Sequence, residues 1–122
     1  MDIKNHYNKI DGSCFWVVEN KDESQIIGTV AIRNLKGLTS DESSAELKRL
    51  FLSKSYRGLG IGKEMINIAI DFAKRMDYKR ILLHSSNKMK ASRNLYLKNG
   101  FVDIPSYNKN NQRADIFMEK KL

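Results

Sequence analysis

Apolar positions recur with two different periods along this chain, and the switches between them mark its elements. Cys14-Phe15-Trp16-Val17-Val18 and Ile26-Ile27-Gly28-Thr29-Val30-Ala31-Ile32 are β-branched and aromatic runs, separated by the polar Asn20-Lys21-Asp22-Glu23-Ser24. Such runs suit a pleated, half-buried surface and the polar cluster suits a turn, so the pair predicts a β-hairpin. Glu46 to Leu52 predicts a third strand, although its alternation is imperfect around Arg49. Ile61, Met65, Ile66, Ala69, Phe72, Ala73 and Met76 then recur at three- and four-residue steps, with Lys63, Glu64, Asn67, Asp71, Lys74 and Arg75 between them. That is the pattern of an amphipathic helix, and Ile68 and Ile70 widen its apolar face as a helix lying on a sheet requires. Ile81 to Ser85 predicts a short buried strand. A second helix is expected from about Met89 to Lys98, ended by Asn99-Gly100 because glycine accepts the left-handed conformation at a helix C-terminus. Phe101 to Ile104 predicts a strand stopped by Pro105, and Ala114 to Glu119 a last one. Residues 1–12 show no clean period, and residues 36–44 predict a polar loop. The order β-β-β-α-β-α-β-β implies an α+β fold with helices packed on the sheet.

Composition narrows the class. The 122 residues make one domain with one core, and 41% hydrophobic residues are enough to fill it. One proline and seven glycines exclude a long disordered linker, a collagen-like fibre and a repeat array. The only cysteine, Cys14, cannot form an internal disulfide, which suits a reducing compartment. No run of 18 apolar residues spans a membrane, and residues 1–6 lack the apolar stretch of a signal peptide. A soluble cytoplasmic protein is the expectation. Twenty-two basic against 14 acidic residues give a net charge of +8. That favours an anionic partner, although solubility alone would also account for it. One cysteine and two distant histidines supply no zinc site.

The chemistry concentrates at Arg57-Gly58-Leu59-Gly60-Ile61-Gly62, between a predicted strand and the strongest predicted helix. Alternating glycines let the backbone approach a ligand, and the helix start adds amide donors and the positive end of its dipole. Lys54, Arg57 and Lys63 surround the loop with positive charge, so a phosphate or diphosphate fits there. Two familiar glycine motifs fail. The dinucleotide fingerprint needs glycine at position 63, which is Lys63. The P-loop needs glycine at 57 and a hydroxyl residue at 64, which are Arg57 and Glu64.

The same hexapeptide matches the R/Q-x-x-G-x-G/A signature of the GNAT superfamily of N-acetyltransferases. Ala45 to Leu52 resembles the strand that precedes that loop in the family. Ala91 to Phe101, with Leu95-Tyr96 and Gly100-Phe101, resembles the second family motif, about 30 residues further on. Ala114 to Lys120 is similar to the closing strand. The resemblance implies a mixed, mostly antiparallel sheet with two main helices packed on it. A splayed parallel strand pair, Glu46–Leu52 and Ile81–Ser85, would lie in the middle.

It also implies acetyl transfer from acetyl-coenzyme A to a primary amine, small or peptidic, with no metal. The diphosphate would rest on the amides of Arg57, Gly58, Leu59, Gly60, Ile61 and Gly62, with Lys63 adjacent. The pantetheine arm would run along Leu50, Phe51 and Leu52. Tyr96 would protonate the departing thiolate, since a phenol stays protonated at neutral pH and can donate to sulfur. Glu46 is the candidate general base, acting through water, and His84 is the other. Read without the family, Tyr96 is more readily a packing residue beside Leu95, and Glu46 is equally a solvated partner of Lys48 or Arg49.

Two departures from the family pattern stand out. The asparagine that often holds the pantetheine is replaced by Met89, with Asn87 and Asn94 near but out of register. Most of the family's N-terminal strand and two helices would be lacking, because only 13 residues precede Cys14. Without that strand, Cys14–Val18 would be a bare apolar edge, for which a homodimer is the expected cover. A short acceptor wall also admits a coenzyme A-binding module with little transferase activity. A basic nucleic-acid binder is the remaining alternative. It would want exposed aromatics among the cations, whereas Phe15, Trp16, Phe72 and Phe101 sit in apolar runs.

Overall fold

The computed structural model describes residues 2–5, 12–35, 43–86, 88–107 and 116–122. Its elements are β1 (Asp2–Asn5), β2 (Cys14–Asn20), β3 (Gln25–Asn34), β4 (Ser44–Leu52), α1 (Ile61–Arg75), β5 (Arg80–Ser85), α2 (Lys90–Lys98), β6 (Val102–Asp103) and β7 (Ile116–Lys121). They form one seven-stranded sheet in the order β1-β2-β3-β4-β5-β7-β6. Every neighbouring pair is antiparallel except β4 and β5, which run parallel in the middle. The predicted α+β sheet with a central parallel pair is therefore present. Its strand at Phe101–Ile104 shrinks to Val102–Asp103, and the start of the last predicted strand, Ala114 and Asp115, lies outside the described residues.

The N-terminus departs from expectation. Residues 2–5 form β1, which pairs with β2 from Asp2↔Glu19 to Asn5↔Trp16. Trp16–Val18 thus lies between β1 and β3 and is not a bare edge, and Trp16 is buried. Over Trp16–Val18, the edge for which a homodimer was the expected cover is already paired within the chain. Polar Asp2, Lys4 and Asn5 hid the strand, because an outer strand with few apolar residues shows no clean period.

One core holds the molecule. Cys14, Trp16, Val18, Ile27, Val30, Ile32, Ala45, Leu47, Ile81, Leu83 and Met118 from the strands meet Met65, Ile66, Ala69, Phe72 and Ala73 of α1, joined by Tyr96 of α2. The period of α1 puts its apolar residues on one stripe, and Phe72 meets Trp16 edge-on at 5.2 Å. Side chains alternate across a strand. Hence Glu46, between core residues Ala45 and Leu47, and Leu82, between Ile81 and Leu83, belong to the opposite face.

The irregular third strand has a structural cause. Thr29 pairs with Phe51 and Ala31 with Lys48, so two residues of β4 oppose one of β3. This is a β-bulge, with Arg49 at φ 54° and its carbonyl accepting from Thr29 Oγ1 at 2.7 Å. Beyond the bulge the alternation resumes one residue out of step. Leu50 and Leu52 pack against the core, while Phe51 is 54% exposed.

Candidate active site

The parallel pair is paired only at its start. Ser44↔Arg80, Ala45↔Ile81 and Glu46↔Leu82 are in register, and pairing ends there although both strands continue. Arg80 fixes this end by donating to Ser44 Oγ at 2.7 Å and to Glu119 Oε2 at 2.8 Å. Past Glu46 and Leu82 the strands separate and leave backbone open along β4.

A groove of about 700 Å³ lies beside that opening. Leu50, Phe51 and Leu52 line one side. Arg57, Gly58, Gly60, Gly62 and Lys63 line the turn into α1, and the far side comes from residues 88–99 around α2. Gly58 and Gly60 both sit at φ 82°, a conformation that favours glycine, and a Cβ at either would meet nothing within 4 Å. The loop is thus a backbone cradle with free space over it. Arg57 is held by donating from Nε to the Leu52 carbonyl at 3.1 Å, which ties the cation to the end of β4. Leu59 and Ile61 do not line the groove: Leu59 is exposed, and Ile61 packs against the core. Lys54 lies in a 3₁₀ turn before the loop and is also off the lining. Asn94 and Met89 do line it, and Asn87 lies outside the described residues.

Glu46 stands at the fork with no exposed surface. Arg33, directly opposite on β3, donates from Nε to Oε1 at 2.8 Å, and the Tyr107 hydroxyl donates to Oε2 at 2.8 Å. His84 Nε2 lies 3.9 Å from Oε2. His84 is two residues beyond Leu82 on β5, so it shares Glu46's face. Tyr107 stacks edge-on against Phe117, opposite His84 across the β5–β7 ladder. Burial and the adjacent Glu46 carboxylate hold the Tyr107 hydroxyl well above the ordinary tyrosine range. The expected pairing of Glu46 with Lys48 or Arg49 is not what the structure shows. Arg33 and Tyr107 take those roles, and strand register, which composition does not reveal, brings them there.

Tyr96 lies on the other side of the sheet. It is 6% exposed, packs against Phe101 with ring centroids 5.8 Å apart, and belongs to the helix-side core. Burial pushes its hydroxyl up to about 12. It is not among the residues lining the groove, whereas its neighbours Asn94 and Leu95 are. Tyr96 and Glu46 are therefore on opposite faces of the sheet.

A parting parallel pair, a glycine cradle at the start of the following helix and a groove between them define the acetyltransferase (GNAT) family. The model of that family matches residues 1–101, and the chain belongs to it. It is 32% identical over 107 residues to N-acetyltransferase 8B of Mus musculus, covering 88% of this chain and 45% of that protein. It is 34% identical over 103 residues to N-acetylaspartate synthetase of Xenopus tropicalis, covering 84% and 36%. The chain thus spans less than half the length of these curated relatives. A GNAT-family acetyltransferase from Staphylococcus aureus Mu50 superimposes with a TM-score of 0.80 at 28% identity, covering 92% of this chain and 69% of that one. PaiA N-acetyltransferase from Thermoplasma acidophilum, solved in complex with coenzyme A, superimposes at 0.71 and 24% identity, covering 90% and 61%.

Proposed function

We propose that this chain is a single N-acetyltransferase domain that moves an acetyl group from acetyl-coenzyme A to a primary amine by direct attack. The observation that carries this reading is the fork. Strand pairing ends at Glu46↔Leu82, with a buried carboxylate on one face and a buried phenol on the other. A thioester lying in the opening can be approached from both faces. The diphosphate rests on the amides of the Gly58–Gly62 cradle with Arg57 and Lys63 beside it. The pantetheine amides pair with the open backbone of Leu50–Leu52, and Asn94 faces the arm from α2.

The acceptor enters from the Glu46 face. Its nitrogen lone pair forms the new N–C bond at the thioester carbonyl, and the ammonium proton passes through water to Glu46. The C–S bond then breaks, and Tyr96 hydrogen-bonds and protonates the leaving sulfur. A second reading of the base rests on exposure. Both oxygens of Glu46 already accept hydrogen bonds, and its side chain is closed to solvent. The His84 side chain is 27% exposed on the same face. In that reading His84 takes the proton and Glu46 orients it. A cytoplasmic setting is part of the proposal and rests on the single cysteine.

Calorimetric titration with acetyl-coenzyme A, followed by thiol detection with a panel of amines, tests the function. The panel includes aspartate, because one relative is named as N-acetylaspartate synthetase. Binding with no thiol release for any amine would reduce the chain to a coenzyme-binding module. Glu46→Gln and His84→Gln separate the two bases: the variant with the larger fall in turnover, at unchanged coenzyme affinity, identifies the proton acceptor.

A further inference from the structure

The face of the sheet that carries Glu46 also carries two cations whose charged ends engage little of the protein. Around Glu46 the β3–β4 ladder is regular, with Arg33↔Glu46, Ile32↔Leu47 and Ala31↔Lys48 paired. Ile32 and Leu47 are buried in the core. Side chains alternate across a strand, so Arg33, Ala31, Glu46 and Lys48 share the opposite face. Arg33 spends only its Nε on Glu46, at 2.8 Å, and the N–H groups of its two Nη atoms meet no acceptor among the described residues. Its side chain is 39% exposed. Lys48 is half-buried and makes no hydrogen bond or ion pair with a described residue. The nearby Arg80 differs, being held by Ser44 and Glu119. Glu46 thus balances one of the two charges and leaves the other over. Arg33 and Lys48 are diagonal neighbours in the antiparallel ladder, roughly 7–8 Å apart. Ala31, opposite Lys48, contributes only a methyl group, which leaves room for both cations to reach one ligand. Lys48 also stands two residues past the last β4–β5 pair, Glu46↔Leu82, and two before Leu50, where β4 begins to line the groove.

The two oxygens of Glu46 face different surroundings. Oε1 accepts from Arg33, whereas Oε2 accepts from Tyr107 and has His84 Nε2 3.9 Å away. A ligand with an amine directly beside a carboxylate matches this asymmetry. Its amine stands at Glu46 and His84, and its carboxylate at Arg33 and Lys48. We propose that Arg33 and Lys48 seat the carboxylate of the acceptor, so that the domain acetylates free α-amino acids and selects them by that carboxylate. The proposal rests on the N-acetyltransferase reading and adds the acceptor class to it. The paired Nη atoms of a guanidinium match the two oxygens of a carboxylate, and the lysine adds a point charge. A peptide N-terminus or a lysine side chain has no carboxylate one carbon from its amine, so it leaves both cations unmatched. Neither Arg33 nor Lys48 lines the coenzyme groove, so the seat is separate from the cosubstrate's.

The test measures thiol release from acetyl-coenzyme A by the full chain with matched acceptors. These are L-aspartate, L-alanine, L-leucine and L-phenylalanine, each beside its α-carboxamide, with a tripeptide and cadaverine completing the panel. The amide keeps the amine and the side chain and removes the charge. At least one amino acid should exceed its amide in kcat/KM by at least about tenfold, the size of one lost hydrogen bond to a charged group. Lys48→Gln should remove most of that preference, with the loss in KM for the amino acid rather than in kcat, and Lys48→Arg should restore it. Lys48 is the position to change, because Arg33 also holds Glu46. Calorimetric titration with acetyl-coenzyme A checks that each variant is folded. Amides used as well as amino acids, or thiol release only with the tripeptide or cadaverine, overturns the acceptor class and leaves the transferase reading intact. A preference undiminished in Lys48→Gln, or an equal fall for acid and amide, overturns the seat. Thiol release with no amine at all, despite acetyl-coenzyme A binding, overturns the transferase reading and the seat with it.

Discussion

At the residue scale, burial decides what Tyr96 and Glu46 can do. A phenol pushed up to about 12 by desolvation stays protonated across the physiological range. It is a weaker acid than an ordinary thiol, whose pKa is about 8.5. Burial raises a thiol as it raises a phenol, so a thiolate released in the same apolar surroundings is a better base than in water. Tyr96→Phe keeps the ring against Phe101 and removes only the donor. Turnover should fall by on the order of 100- to 10,000-fold with coenzyme affinity within about twofold, measured by thiol release and calorimetry. Unchanged turnover, with chemistry rate-limiting, would remove Tyr96 from the mechanism. The same shift has a sign for stability. The folded-state value lies above the unfolded value of 10.0, so Tyr96's contribution is complete below pH 10 and lost as pH rises through about 12. Urea denaturation of parent and Tyr96→Phe should show the parent losing stability more steeply over that window. Parallel curves would contradict the shift.

At the scale of elements, the loop and the bulge do the positioning. Gly60 precedes the first residue of α1 at φ 82° with open space around a would-be Cβ. Valine there would confuse binding with strain, because a β-branched residue is poorly tolerated in the left-handed region. Asparagine tolerates it, so Gly60→Asn should fold with a near-parental melting temperature. Its side chain would stand in the cradle and weaken acetyl-coenzyme A binding by at least about tenfold. Parental affinity in a folded variant would move the diphosphate elsewhere. The bulge at Arg49 shifts β4 by one residue, which turns Leu50 and Leu52 toward the core and leaves Phe51 on the groove. The strand was legible from its composition, but not the bulge, because one extra residue in a ladder is defined by the partner strand. Imperfect alternation around Arg49 was its only trace.

At the scale of the whole molecule, β1 covers the strand that the sequence pattern leaves bare. Deleting residues 1–6 should expose the β2 backbone ladder and produce concentration-dependent association in light scattering at micromolar protein. A truncated chain that scatters like the parent would mean that β1 contributes nothing to closing that edge. Much of this molecule was readable in one dimension. The amphipathic period of α1, the β-branched runs of β2 and β3, the glycine loop and the Leu95-Tyr96 motif are local patterns, and local patterns report which face an element buries. Where that face goes is a matter of pairing. Arg33 meets Glu46 only because β3 and β4 align those two positions, and Tyr107 reaches the same carboxylate from 61 residues away in sequence. Likewise the start of α1 meets α2 only where Gly62 faces Leu95. Contacts of that range leave no periodic trace, since each depends on register and on the close approach of distant segments. The elements and the glycine loop were thus set by composition and spacing, whereas the fork and the partners of Glu46 were decided by how the strands pair.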